Sequence, residues 1–252
     1  MWSARRWVRV PRRHAFRGWR AALLLTISSL FALPLAGQAL DIFIVRHAET
    51  LANATKLYTA FNQRHFTRDG ARQIEDLTRA LRPYRFDAIL TSPAYRTLRT
   101  IQPYLVAANA QAEIWPELDE CCWQTDPEHE LTPPGDPILL EEDQRPYFAL
   151  RPGAAETSPG AERYDDGIRR VRWAAAEIWR RWGGSDAVIL VATHYHTGAK
   201  LIETLAESLP SGGVRLQNAK LTHLRESDGR FFIVGLNLDE PGAAAPIRAS
   251  PP

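Results

Sequence analysis

Residues 41–53 read DIFIVRHAETLAN, and this stretch decides the fold. Ile42, Phe43, Ile44 and Val45 form an unbroken apolar run of strand length. Such a run suits a strand covered on both faces, the condition of a parallel sheet packed between helices. It stops abruptly at Arg46-His47, which places a cation and an imidazole just past a strand end. Glu49, Thr50 and Asn53 come directly after.

Outward from this strand the pattern alternates. Thr67 to Leu81 reads as a helix with Thr67 as N-cap and Ala71, Ile74, Leu77 and Leu81 on one face. Phe86 to Leu90 reads as a strand. Ser92-Pro93 then opens a helix to about Asn109, with Ser92 capping and Pro93 at the first helical position. A short strand at Ala112 to Trp115 comes next. A helix spans about Gly160 to Trp182, closed by Gly183-Gly184. Ala187 to Ala192 is a second continuous apolar strand, ending in Thr193-His194 and leading to a helix over Thr197 to Ser208. Leu221 to Arg225 and Phe231 to Leu236, split by Ser227-Asp228-Gly229, read as a hairpin. Alternating strands and helices predict an α/β fold with a mostly parallel central sheet and helices on both faces. Ligands of such sheets bind beyond the carboxyl ends of the strands, where His47, Ser92 and His194 all stand.

The chain's 252 residues suffice for one well-buried α/β domain, expected over 40–240. The net charge of +2 is misleading, because seven arginines (Arg5, Arg6, Arg9, Arg12, Arg13, Arg17, Arg20) precede the first acid, Asp41. Without them 24 basic residues face 29 acids, leaving −5 and no general reason to expect nucleic-acid binding. Residues 1–39 read as a signal peptide: a basic stretch, an uncharged apolar run from Ala21 to Leu35, then Gly37-Gln38-Ala39 before a cleavage point. An N-terminal anchor or a misplaced start is the alternative reading, and the export route is open. The expected location is outside the cytoplasm, periplasmic or secreted, with no membrane span after cleavage. Residues 126–159, rich in Pro, Glu and Asp, are expected to form a lid-like insertion, and 241–252 a flexible tail. Cys121 and Cys122 are adjacent and supply no long-range staple. They read as two small buried side chains rather than a metal or redox pair.

Five motifs stand in order. They are Arg46-His47-Ala48-Glu49-Thr50-x-x-Asn53, Thr67-x-x-Gly70-x-x-Gln73, Ser92-Pro93-x-x-Arg96 with Thr100, Leu118-Asp119-Glu120, and Val191-Ala192-Thr193-His194. Together they resemble the histidine phosphatase superfamily, in the branch containing phosphoglycerate mutase, over about Asp41 to Asn237. The resemblance implies a phosphoglycerate mutase-like three-layer sandwich. It also implies catalysis by His47, Glu120 and His194, with Arg46, Asn53 and Arg96 binding the phosphoryl group. Ala48 and Tyr195 stand where the family usually has glycine.

The residue types suit that chemistry. A neutral imidazole is a nucleophile at neutral pH. Two guanidinium forks match phosphate oxygens, so neither a metal nor a cofactor is expected. Glu120 would protonate the leaving oxygen and then activate water. Arg99 rivals Arg96; Glu117, Asp119 and Glu128 rival Glu120; His196 rivals His194. On an extended backbone His194 and His196 would point the same way, which admits a metallohydrolase reading. The expected activity is metal-independent phosphomonoester hydrolysis of a small phosphorylated substrate, with a phosphomutase or a non-catalytic phosphoryl-binding protein as alternatives. Substrate identity and oligomeric state are open.

Overall fold

The computed structural model describes residues 39–122, 135–160, 162–207 and 212–242. The expected signal peptide (save Ala39), the first part of the expected lid, Glu128 and nearly all of the expected tail lie outside the described residues. Seven strands make one sheet: β1 (Asp41–Arg46), β2 (Ala88–Thr91), β3 (Ala112–Ile114), β4 (Phe148–Leu150), β5 (Val188–Thr193), β6 (Leu221–Ser227) and β7 (Arg230–Leu238). Their spatial order is β4-β3-β2-β5-β1-β6-β7. The first five pair in parallel, while β6 and β7 run antiparallel at one edge.

Among the described residues six α-helices accompany the sheet: α1 (Leu51–Thr55), α2 (Ala60–Arg64), α3 (Arg68–Leu81), α4 (Tyr95–Ala108), α5 (Tyr164–Trp182) and α6 (Tyr195–Leu205). The period-2 alternation of a strand sends successive β1 side chains to opposite faces. Ile42 and Ile44 join Val171, Ile178, Leu201 and Ile202 of α5 and α6 in one apolar cluster. Phe43 and Val45 join Leu77, Leu81, Leu98, Ile101 and Leu105 of α3 and α4 in the other. The continuous apolar run at 42–45 is thus explained by helices covering both faces, and among the described residues no helix is long and apolar enough to cross a membrane.

Several boundaries differ from the sequence expectation. The cap of α4 is Ala94, which makes no side-chain cap bond. Ser92 instead accepts from the Ala94 amide at 3.1 Å, so its hydroxyl orders the turn before the helix and Pro93 lies outside it. α6 begins two residues early, at Tyr195, because β5 ends at Thr193 and His194 is the cap. The helix expected from Gly160 starts at Tyr164. β4 was not expected; it is an edge strand of three residues, too short to carry a period. Cys121 and Cys122 are both buried, as expected, but they are joined to each other in a disulfide, with Cys122 at φ 64°.

Candidate active site

The parallel order brings the carboxyl ends of β2, β5 and β1 side by side, with Arg46 opposite Thr193 and Thr91 opposite Ala192. His47, Ser92 and His194 therefore meet at one edge. The His47 and His194 ring centroids lie 5.3 Å apart. Arg46, His47, Asn53, Arg96 and Glu120 line one cleft of about 710 Å3, together with Lys56, Tyr58, Gln63, Tyr195 and His196. His194 is fully buried behind them.

His47 is oriented by its own backbone neighbourhood. Its Nδ1 lies 2.8 Å from the Ala48 carbonyl, which can only accept, so Nδ1 carries the proton and Nε2 keeps its lone pair. Burial, then the charges of Arg96 and Arg46 around it, push the His47 pKa well below the usual range. The ring is therefore neutral at neutral pH.

The loop that presents His47 is clamped at Glu49 by the second motif. Thr67 caps α3 by accepting from the Gly70 amide at 2.9 Å, and its hydroxyl donates to the Glu49 carboxylate at 2.8 Å. The Thr67 amide donates to the Glu49 carbonyl at 3.1 Å, and the Gln73 side-chain Oε1 accepts from the Glu49 amide at 2.9 Å. A Cβ on Gly70 would stand 2.0 Å from the Glu49 carbonyl oxygen, so only glycine allows this approach. Ala48, in a place the family usually gives to glycine, is buried and donates its amide to Thr100 at 2.9 Å.

Asn53 forms a capping box with Thr50: its Oδ1 accepts from the Thr50 amide at 3.1 Å. Asn218 donates to the same oxygen at 3.3 Å and to the His47 carbonyl at 2.8 Å. The Asn53 Nδ2 has no partner among the described residues and is available to a ligand. Asn218 was not anticipated. It precedes β6 and reaches the site only because β6 returns antiparallel beside β1.

Arg96 reaches the cleft from the first turn of α4, donating to Gln63 at 3.1 Å and to His194 Nδ1 at 3.1 Å. Burial lowers its pKa, opposed by Asp119 and Glu120, but a guanidinium stays charged. Arg99 lies elsewhere, bonded to Glu141, Asp143 and Gln102 and over the Tyr95 ring. Arg46 donates to the Leu216 carbonyl at 2.9 Å, and its guanidinium carbon lies 5.0 Å from the Tyr195 ring centroid. Tyr195 sits at the first position of α6 without a positive φ, so the residue causes no backbone strain there.

Because Arg96 can only donate, His194 accepts at Nδ1 and carries its proton on Nε2. That nitrogen lies 2.6 Å from the Ser92 hydroxyl and 3.2 Å from the Asp119 carboxylate. Burial and Arg96 lower the His194 pKa. Burial pushes Asp119 up, but its hydrogen bond to His194 and the charges of Arg96 and Arg170 outweigh that and hold it at about 2. Asp119 is thus the anion behind His194. Glu120, the next residue, turns the other way. Its Oε1 accepts from the amides of His196 and Thr197, both at 3.1 Å, capping α6, and from Cys121 at 3.2 Å. Oε2 has no partner among the described residues.

His194 and His196 do not share a direction. The backbone is helical beyond His194, so His194 faces Ser92 while the His196 ring lines the cleft beside Tyr195. Among the described residues no group of three or more His, Cys, Asp or Glu side chains is arranged to hold a metal ion.

No curated relative matches the sequence. Solved structures do resemble the fold. A putative alpha-ribazole-5'-P phosphatase from Escherichia coli K-12 is 21% identical with a TM-score of 0.56, over 81% of this chain and 98% of that one. A mycobacterial glucosyl-3-phosphoglycerate phosphatase is 19% identical with a TM-score of 0.56, over 80% and 100%. A phosphoglycerate mutase from Bacillus anthracis is 15% identical with a TM-score of 0.52, over 81% and 95%. At these identities the likeness is one of fold. The family model of the histidine phosphatase superfamily, branch 1, matches residues 42–239, and the chain therefore belongs to that superfamily, whose chemistry is phosphoryl hydrolysis and transfer.

Proposed function

We propose that this protein hydrolyses small phosphomonoesters through a phosphohistidine at His47, without a metal, and acts outside the cytoplasm. The observation that carries the chemistry is the His47 tautomer: Nδ1 is committed to the Ala48 carbonyl, leaving a neutral Nε2 beside two guanidinium groups. Nε2 attacks phosphorus as the bond to the leaving oxygen breaks. Arg46, Arg96 and the Asn53 amide take up the equatorial oxygens. As the phosphoryl group arrives, Arg96 turns its fork toward it. His194, backed by the Asp119 anion, then takes on Nδ1 the proton that the phosphate monoanion brings and donates it back to the same group as a hydrogen bond.

Glu120 supplies the leaving oxygen with a proton from Oε2, the oxygen that capping leaves free. In the second half-reaction it recovers a proton from water, whose oxygen attacks the phosphohistidine and releases inorganic phosphate. The leaving group lies against Lys56, Tyr58, Tyr195 and His196. Action outside the cytoplasm is supported by the basic, apolar and small-residue order of residues 1–39, and a central-metabolic mutase would have no role there.

Glu120→Gln tests the assignment. Gln keeps the cap on α6 but cannot deliver a proton, so alkyl phosphate hydrolysis falls by ~100-fold or more. Phosphorylation of His47 by a nitrophenyl phosphate, whose leaving group needs no proton, falls far less, giving a burst and then slow turnover. Equal losses on both substrates without a burst would remove Glu120 from the role.

A further inference from the structure

Behind the cleft lies a cluster that touches no substrate. Arg170 of α5 does not line the cleft, and its side chain is 11% exposed. Its guanidinium donates to the carbonyls of Glu117 at 2.8 Å, Asp119 at 3.0 Å, Glu120 at 3.2 Å and Pro116 at 3.4 Å. From the other side Glu162, 13% exposed, accepts from Arg170 Nε with both oxygens at 3.1 Å. One planar fork thus serves four carbonyls of the five-residue segment 116–120 and is itself held by a carboxylate. The segment belongs to no strand; beyond a single 3-10 turn at Pro116–Leu118 it has little regular structure of its own.

α5 is also fitted closely against the two cysteines next to Glu120. A Cβ on Gly167 would meet Cys122 Sγ at 2.9 Å and Cys121 Cβ at 3.0 Å. We infer that Arg170, oriented by Glu162, is a positioning residue for the reaction: it fixes the backbone of the segment that ends at Glu120, so that the free oxygen of this carboxylate faces the leaving group. The inference rests on the reading of Glu120 as the acid. It assigns to α5 a part in proton delivery, although the helix touches no substrate. An ammonium cannot reproduce the arrangement, because a point charge on a flexible stem cannot address four carbonyls and a carboxylate in one plane.

A purely structural role would lower the rates on all substrates together, since the population of folded enzyme scales every rate equally. A positioning role falls hardest where the leaving oxygen needs its proton. The experiment compares wild type, Arg170→Met and Arg170→Lys in rapid-quench assays with 4-nitrophenyl phosphate and with an alkyl phosphate, below the melting temperature of each variant. For Arg170→Met the burst rate on the nitrophenyl ester stays within roughly threefold of wild type, while the alkyl ester loses about tenfold more. Arg170→Lys shows a smaller loss with the same asymmetry, and it decides the matter if the methionine variant does not fold. Equal losses on both esters, or none, in the folded variants overturns the role of Arg170 and leaves the phosphohistidine reading standing. Absence of a burst and of acid-labile label in wild type overturns both.

Discussion

Asp119→Asn isolates the anion behind His194. The Asp119 carboxyl is held at about 2 against an ordinary 3.8. At about 1.4 kcal/mol per pH unit, this preference for the anion in the folded state is worth about 2–3 kcal/mol at pH 7. Its side chain is 19% exposed, so solvent screens it little. The sign is that of a depressed carboxyl: the contribution is full above the unfolded value and is lost as pH falls through the folded one. About half of it is gone by pH 3. Asn keeps the shape and loses the charge. The variant is therefore expected to be less stable than wild type by about 2–3 kcal/mol at pH 7, and the gap shrinks toward pH 3. Urea unfolding of both proteins at pH 7, 5 and 3 measures it, and acids that do not touch Asp119 or His194 cancel in the difference. A gap that stays constant over this range would show that Asp119 is not the anion described. Activity should fall too, because Asn can turn its amide toward His194 Nε2 and favour the Nδ1–H tautomer, which clashes donor to donor with Arg96.

Two further outcomes are expected from the same geometry. Arg96→Lys replaces a fork that spans His194, Gln63 and the phosphoryl position, and should cost ~100-fold or more in kcat/KM. Arg99→Lys, in its ion-pair cluster with Glu141 and Asp143, should change it only a few-fold; the reverse order would move the phosphate site along α4. Gly70→Ala drives a methyl group against the Glu49 carbonyl and should lower stability by about 1–3 kcal/mol with a parallel loss of turnover. A variant as stable and as active as wild type would mean that the clamp on Glu49 does not order the His47 loop.

The sheet was legible because its central strands are apolar throughout, and Arg46-His47 and Thr193-His194 mark their ends. The roles inside each motif were less so. Thr67, Gly70 and Gln73 read as the start of a helix, and only the folded chain reveals that all three act on the backbone of Glu49. Asn218 and Arg170 carried no sequence signal, since their partners lie 171 and about 50 residues away. The α6 boundary was misplaced because Tyr195 and His196 are poor helix formers in isolation. Glu120 overrides that by capping the amides of His196 and Thr197 from another part of the chain.

A covalent intermediate on His47 can be trapped directly. Purified protein mixed with a 32P-labelled aryl phosphate and quenched within milliseconds should carry label on the peptide containing His47, stable to base and lost in mild acid. His47→Ala should fold as wild type and carry none. Label that survives acid, label on another residue, or no label during active turnover would contradict the account.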